Sequence, residues 1–98
     1  MKVFLIGFMG AGKTSFGKKL AKMLDYPFFD LDHIIEEVTG GTVGAYFSEH
    51  GEEKFRELEK EILQTHPLPG NFVLSTGGGA PCFFDNMEWM NAHGETVY

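Results

Sequence analysis

With 98 residues the chain has room for one domain at most, and 43% hydrophobic with 14% aromatic residues supplies a core and argues against disorder. A formal net charge of −6, with no basic run longer than Lys18-Lys19, excludes a general nucleic-acid binder, and no apolar segment approaches the roughly 18 residues of a membrane span. An anionic ligand must therefore be held by local geometry, and the single arginine, Arg56, makes bidentate recognition by side chains scarce.

Residues 2 to 6 read as a buried strand, apolar throughout as parallel strands covered on both faces tend to be. The run is broken by Gly7, lacks a small-x-small cleavage site and is followed by Lys13, so it does not read as a signal peptide. Gly7 to Gly12 is a turn. From Lys13 the apolar positions Phe16, Leu20, Ala21 and Leu24 recur at helical spacing with Lys18, Lys19 and Lys22 between them, which predicts an amphipathic helix. Asp25-Tyr26-Pro27 ends it, Phe28-Phe29-Asp30 reads as a second strand leading into Leu31-Asp32, and a helix is expected from about His33 to Val38, closed by Thr39-Gly40-Gly41. Thr42 caps a further helix carrying Val43, Tyr46 and Phe47. Gly51 interrupts before a longer one in which Phe55, Leu58 and Ile62 share a face. After Pro67 and Pro69-Gly70, Phe72 to Ser75 predicts a third strand, Phe83 to Asn91 a helix, and Glu95 to Tyr98 the opening of a fourth strand. Strands alternating with helices predict a parallel α/β sheet.

Gly7-x-x-x-x-Gly12-Lys13-Thr14 satisfies the phosphate-loop pattern in the required setting, between a strand and a helix. Glycines let successive backbone N–H groups converge on one anion, and the helix start adds unpaired donors and a positive dipole end. Lys13 can reach the β- and γ-phosphates, and the Thr14 hydroxyl can ligate Mg²⁺. The plainer alternative is a glycine-rich turn with a solvated lysine. Asp30 and Asp32, two apart at a strand end, point the same way if the backbone stays extended. One could then hold a Mg²⁺-bound water and the other accept a proton from an attacking hydroxyl. Equally, Asp32 could simply cap the helix starting at His33. Thr76-Gly77-Gly78-Gly79 either lets a ligand approach backbone amides or is a flexible turn. Arg56, four residues after Glu52 and three before Glu59, reads on spacing as a solvated helix ion pair ahead of a binding residue. Cys82 reads as a small buried residue, and one cysteine with no Cys/His grouping of zinc spacing suits a reducing compartment. His33, His50, His66 and His93 read as surface residues.

Taken together, Gly7-Phe8-Met9-Gly10-Ala11-Gly12-Lys13-Thr14-Ser15, Phe29-Asp30-x-Asp32, Thr39-Gly40, Gly51-Glu52-x-x-Phe55-Arg56-x-x-Glu59 and Thr76-Gly77-Gly78-Gly79 resemble the shikimate kinase family over essentially the whole chain. The resemblance implies a P-loop NTPase-like three-layer sandwich with a parallel sheet, here of about four strands. It also implies a cytoplasmic enzyme of aromatic amino acid biosynthesis, with ATP and Mg²⁺ as cofactors, that phosphorylates the 3-hydroxyl of shikimate. Gly10, Ala11, Gly12, Lys13, Thr14 and Ser15 would bind the ATP phosphates, and Thr14 with Asp30 would serve Mg²⁺. Lys13 and Asp32 would be catalytic, with Asp32 as base and holder of the ring hydroxyls. Arg56 would pair with the shikimate carboxylate, and Gly77, Gly78 and Gly79 would contact the substrate. Family members continue past Tyr98 with a lid and further arginines. The expectation is thus a single P-loop kinase domain, 1–98, truncated at its C-terminus and nearly inactive alone. Its parent would be a monomer, and the fragment would be open to self-association through a bare sheet edge, with no nucleic-acid or membrane partner. Another small-molecule P-loop kinase, such as one for gluconate, or a non-catalytic nucleotide-binding fragment are the alternatives.

Overall fold

The computed structural model describes residues 1–6, 11–76 and 83–97, the side chains of 11–14 excepted. The elements are β1 (Lys2–Leu5), α1 (Ala11–Leu24), β2 (Phe28–Asp30), α2 (Leu31–Thr39), α3 (Val43–Thr65), β3 (Phe72–Ser75), α4 (Asn86–His93) and β4 (Glu95–Val97). The strands form one sheet in the order β2-β3-β1-β4, every pairing parallel. Successive residues of a strand face opposite sides, and because both sides are covered here, both sets are apolar. Phe4, Ile6, Phe72 and Leu74 pack with Leu31, Ile35, Phe55, Ile62 and Met90 from α2, α3 and α4. Val3, Leu5 and Val73 pack with Ala21 of α1, joined by Phe28. The result is a three-layer α/β/α sandwich. The chain moves one way across the sheet through α1 and back through α2 and α3, so right-handed crossovers require those helices on opposite faces.

The buried stripe of α1 differs from the expected one. Ala21 is buried and Leu20 half-buried, but Phe16 and Leu24 are exposed, and the residue pressed on the sheet is Gly17. A Cβ there would lie 2.4 Å from the Phe28 ring and 2.9 Å from Leu5 Cδ1, so the aromatic residue of β2 fills the space a larger helix side chain would take. Gly94 makes an equally close approach between α4 and β4: a Cβ would sit 2.2 Å from the Lys2 carbonyl oxygen, a main-chain atom that cannot rotate away. Gly94→Ala is therefore expected to destabilise the fold by roughly 1–3 kcal/mol, read as a lower urea midpoint with the slope unchanged.

Gly51 has φ 87° and ψ 170°, a conformation that only glycine adopts readily, and it kinks α3 where the sequence places an interruption. The kink brings Phe47 to 5.6 Å and Tyr46 to 6.4 Å from Phe55, ring to ring. Thr42 caps α3, its Oγ1 accepting from the Ala45 N–H at 3.0 Å. The last helix starts at Asn86 rather than Phe83, because Phe84 sits at φ 54°, outside helical space, and Phe83 is committed to a contact with Arg56. His33, His50 and His93 are exposed and His66 half-buried, broadly as expected, whereas Cys82 lies outside the described residues.

Candidate active site

Parallel pairing puts all four carboxyl ends of the strands on one edge, where ligands of α/β sheets gather. Register aligns Asp30, Ser75, Leu5 and Val97 in one row across that edge. Beyond the row, Thr76 donates to the Leu5 carbonyl oxygen through both its N–H (3.0 Å) and its Oγ1 (2.9 Å), so the chain leaves β3 pinned to the end of β1. The phosphate-loop residues Gly7 to Gly10 and the glycines 77 to 79 lie outside the described residues. Ala11, Gly12, Lys13 and Thr14 form the first turn of α1, which carries no acidic residue, and Ser15 follows on its exposed surface.

Asp30 and Asp32 do not share an extended backbone. Asp30 ends β2 in the β region (φ −115°, ψ 123°) and the helix begins at once with Leu31. Asp30 is the N-cap, its Oδ1 accepting from the Asp32 N–H at 2.9 Å, so the capping assignment moves from Asp32 to Asp30. Asp32 is instead half-buried in the first turn of α2, where a carboxylate is stabilised by the helix dipole. Its negative charge is a lesser contribution to the raised pKa of Glu59 on α3.

A second group lies on α3. Arg56 Nη1 donates to Glu59 Oε1 at 3.0 Å, as the spacing predicts, but the pair is not solvated: the side chains are 17% and 1% exposed. The guanidinium carbon lies 4.3 Å from the centroid of the Phe83 ring and 5.3 Å from that of Phe55. Arg56 Nε is enclosed and has no hydrogen-bond acceptor among the described residues. A buried guanidinium with an unmatched donor is suited to a planar carboxylate that can accept from it. Sequence reasoning missed Glu59 as an interior residue. The signal was there, since it stands four after Phe55 and three before Ile62, on the apolar stripe itself. Phe83 carried no such signal.

Burial pushes the Glu59 carboxyl above its ordinary 4.5; the hydrogen bond and charge of Arg56 pull it back, and the Asp32 charge adds to the rise. The folded state thus holds this proton more tightly than the unfolded chain. Its stabilising contribution is present below the unfolded value and is lost as pH rises through the folded one. Wild type should therefore lose stability relative to Glu59→Gln as pH is raised above 4.5. Urea denaturation of both proteins between about pH 4 and pH 7 checks the sign, and a slope in the other direction would show that pairing with Arg56 outweighs burial.

Ser75 Oγ is a second buried polar atom without a partner among the described residues. In register with Asp30 on the α1 side of the sheet, it offers a hydroxyl beside a carboxylate close to the start of α1. This donor set fits a hydrated Mg²⁺, which takes one or two protein oxygens and fills its shell with water and phosphate. A groove of about 420 Å³ runs along the outer side of β2, lined by Phe28, Phe29, Lys18, His33 and His66, and meets the site through Asp30. Among the described residues, no helix is long and apolar enough to cross a membrane.

Against known proteins, the family model described as shikimate kinase matches residues 9–98. A shikimate kinase of Bacteroides fragilis is 58% identical over 98 residues, covering the whole of this chain and 55% of that protein. The crystal structure of shikimate kinase from Bacteroides thetaiotaomicron superposes with a TM-score of 0.90 at 54% identity, over 99% of this chain and 57% of that one. Shikimate kinase from Acinetobacter baumannii in complex with shikimate gives 0.83 at 40% identity, over 99% and 54%. The chain thus spans somewhat more than half the length of these relatives.

Proposed function

The chain belongs to the shikimate kinase family, and from that premise we propose that it carries the phosphate loop and much of the acceptor site of an enzyme transferring the γ-phosphoryl group of ATP to the 3-hydroxyl of shikimate. The observation that carries this reading is the enclosed Arg56–Glu59 pair on α3, its guanidinium holding an unmatched Nε donor among the described residues, in a fold that sets Asp32 just past the carboxyl end of β2. An acceptor bearing both a carboxylate and hydroxyls meets a guanidinium for the one and a carboxylate for the other.

In this proposal Arg56 takes the shikimate carboxylate. Asp32 accepts hydrogen bonds from the ring hydroxyls and removes the proton of the attacking one. The backbone of Gly10 to Ser15 and the Lys13 ammonium bind the phosphates, and Gly77, Gly78 and Gly79 line the acceptor side. Thr14 and Asp30, with Ser75 close by, would hold Mg²⁺, which supplies charge neutralisation between the phosphates. Phosphoryl transfer demands little covalent chemistry from a protein, so positioning and charge placement make up most of what these residues contribute.

The test is phosphorylation of shikimate against gluconate by the full chain with ATP and Mg²⁺. Preference for shikimate that is lost when Arg56 is reversed to Glu supports the reading. Equal or better use of gluconate would assign the chain to a different acceptor.

A further inference from the structure

We propose that Phe83 is a positioning residue for Arg56: its ring forms the floor on which the guanidinium lies, and so couples the turn at 83–86 to the binding of the acceptor carboxylate. The inference rests on the reading of Arg56 given above and adds a residue that neither the phosphate loop nor the carboxylate pair supplies.

Two observations support it. The guanidinium carbon is 4.3 Å from the Phe83 centroid, closer than the 5.3 Å to Phe55, within the range where a cation is attracted to the face of a ring. Arg56 has its Nη1 bonded to Glu59 while Nε has no acceptor among the described residues, so one ion pair alone does not fix the plane of the group. A flat ring beneath it restricts the rotation that the single ion pair leaves open, and leaves the in-plane Nε–H for an acceptor such as the substrate carboxylate.

The backbone shows that the contact is built in. Phe84 adopts φ 54°, an uncommon and costly conformation for a bulky residue, and with it two adjacent phenylalanines face different cations: Phe83 meets Arg56, while Phe84, 56% exposed, lies 5.1 Å from Lys60 Nζ. Arg56 and Lys60 are one helical turn apart on α3. The turn at 83–86, closed by the Asn86 N–H on the Phe83 carbonyl oxygen at 3.3 Å, is thereby docked along two successive cations of that helix. Lys60 and Gln64 fasten it further through Asp85, at 3.6 and 3.0 Å.

Phe83→Leu, Phe83→Tyr and Arg56→Lys are to be compared in the full chain by steady-state kinetics, with thermal denaturation and NMR of the Arg56 side chain. Phe83→Leu should raise KM for shikimate about five- to ten-fold and leave KM for ATP within about two-fold, and Phe83→Tyr should restore both. The ring-current shift of the Arg56 side-chain protons should shrink in the Leu variant to what Phe55 contributes and persist in the Tyr variant, a readout independent of activity. If Phe83→Leu leaves KM for shikimate unchanged while Arg56→Lys raises it, the proposal is overturned and the role of Arg56 stands. If neither changes it, the assignment of Arg56 falls as well. Equal losses for ATP and shikimate with a lowered Tm would show Phe83 to be a packing residue only, which also overturns the proposal.

Discussion

Asp32→Asn is expected to lower kcat for shikimate phosphorylation by roughly 10²- to 10⁴-fold, with KM for ATP within about two-fold of wild type and a loss of stability held to about 1 kcal/mol or less. The last part follows from the capping geometry. The N-cap hydrogen bond runs from the Asp32 main-chain N–H to Asp30 Oδ1, so it survives any change of the Asp32 side chain. Asparagine keeps the volume and can still orient a hydroxyl, but it cannot take the proton. A side effect serves as an internal control: the Asp32 charge contributes to the raised pKa of Glu59, and removing it should bring the Glu59 carboxyl down towards its ordinary value. A kcat within about three-fold of wild type would assign proton removal elsewhere and leave Asp32 as a binding residue.

The same pair of carboxylates shows what a sequence can and cannot disclose. The spacing Asp30-x-Asp32 singled out the end of β2, yet the expectation of two parallel side chains depended on an extended backbone. The helix begins one residue after Asp30, two earlier than expected, and that shift separates the duties of the two residues. Strand positions were legible because short continuous apolar runs bounded by turn residues leave few alternatives: β1 to β4 lie close to where expected, and so do the breaks at Gly40 and Gly51. The face of α1 was misjudged because apolarity was taken as the mark of the buried side. Close approach to a sheet selects small residues, and Gly17 against Phe28 decided the rotation. Glu59 was read as solvated because charge outweighed its place on the stripe of Phe55 and Ile62, and only the fold reveals the guanidinium that accompanies it inside. The Phe83 contact joins residues 27 apart in sequence, next to a left-handed residue at Phe84, and no local pattern encodes it.

Lys13→Met is expected to weaken ATP binding and turnover together, by roughly 10²- to 10³-fold in kcat/KM, with the unfolding midpoint unchanged. The substitution keeps the unbranched stem and the helix propensity and removes only the charge. That charge matters more here than in a basic protein. The chain carries −6 overall, and a polyanion approaching it is repelled except where the fold concentrates donors. The first turn of α1 is such a place: it opens a 14-residue helix and carries no acidic residue, and a helix start has main-chain N–H groups without intrahelical partners at the positive end of its dipole. Main-chain donors alone would hold a phosphate, so residual binding of ADP should persist in the Met variant. The additional loss for ATP over ADP then measures what the ammonium contributes at the γ-phosphate, the group that is transferred. Calorimetric titration with both nucleotides separates these. Equal affinities of wild type and Lys13→Met for ATP would mean that the glycine turn is a connection between strand and helix and not the nucleotide site.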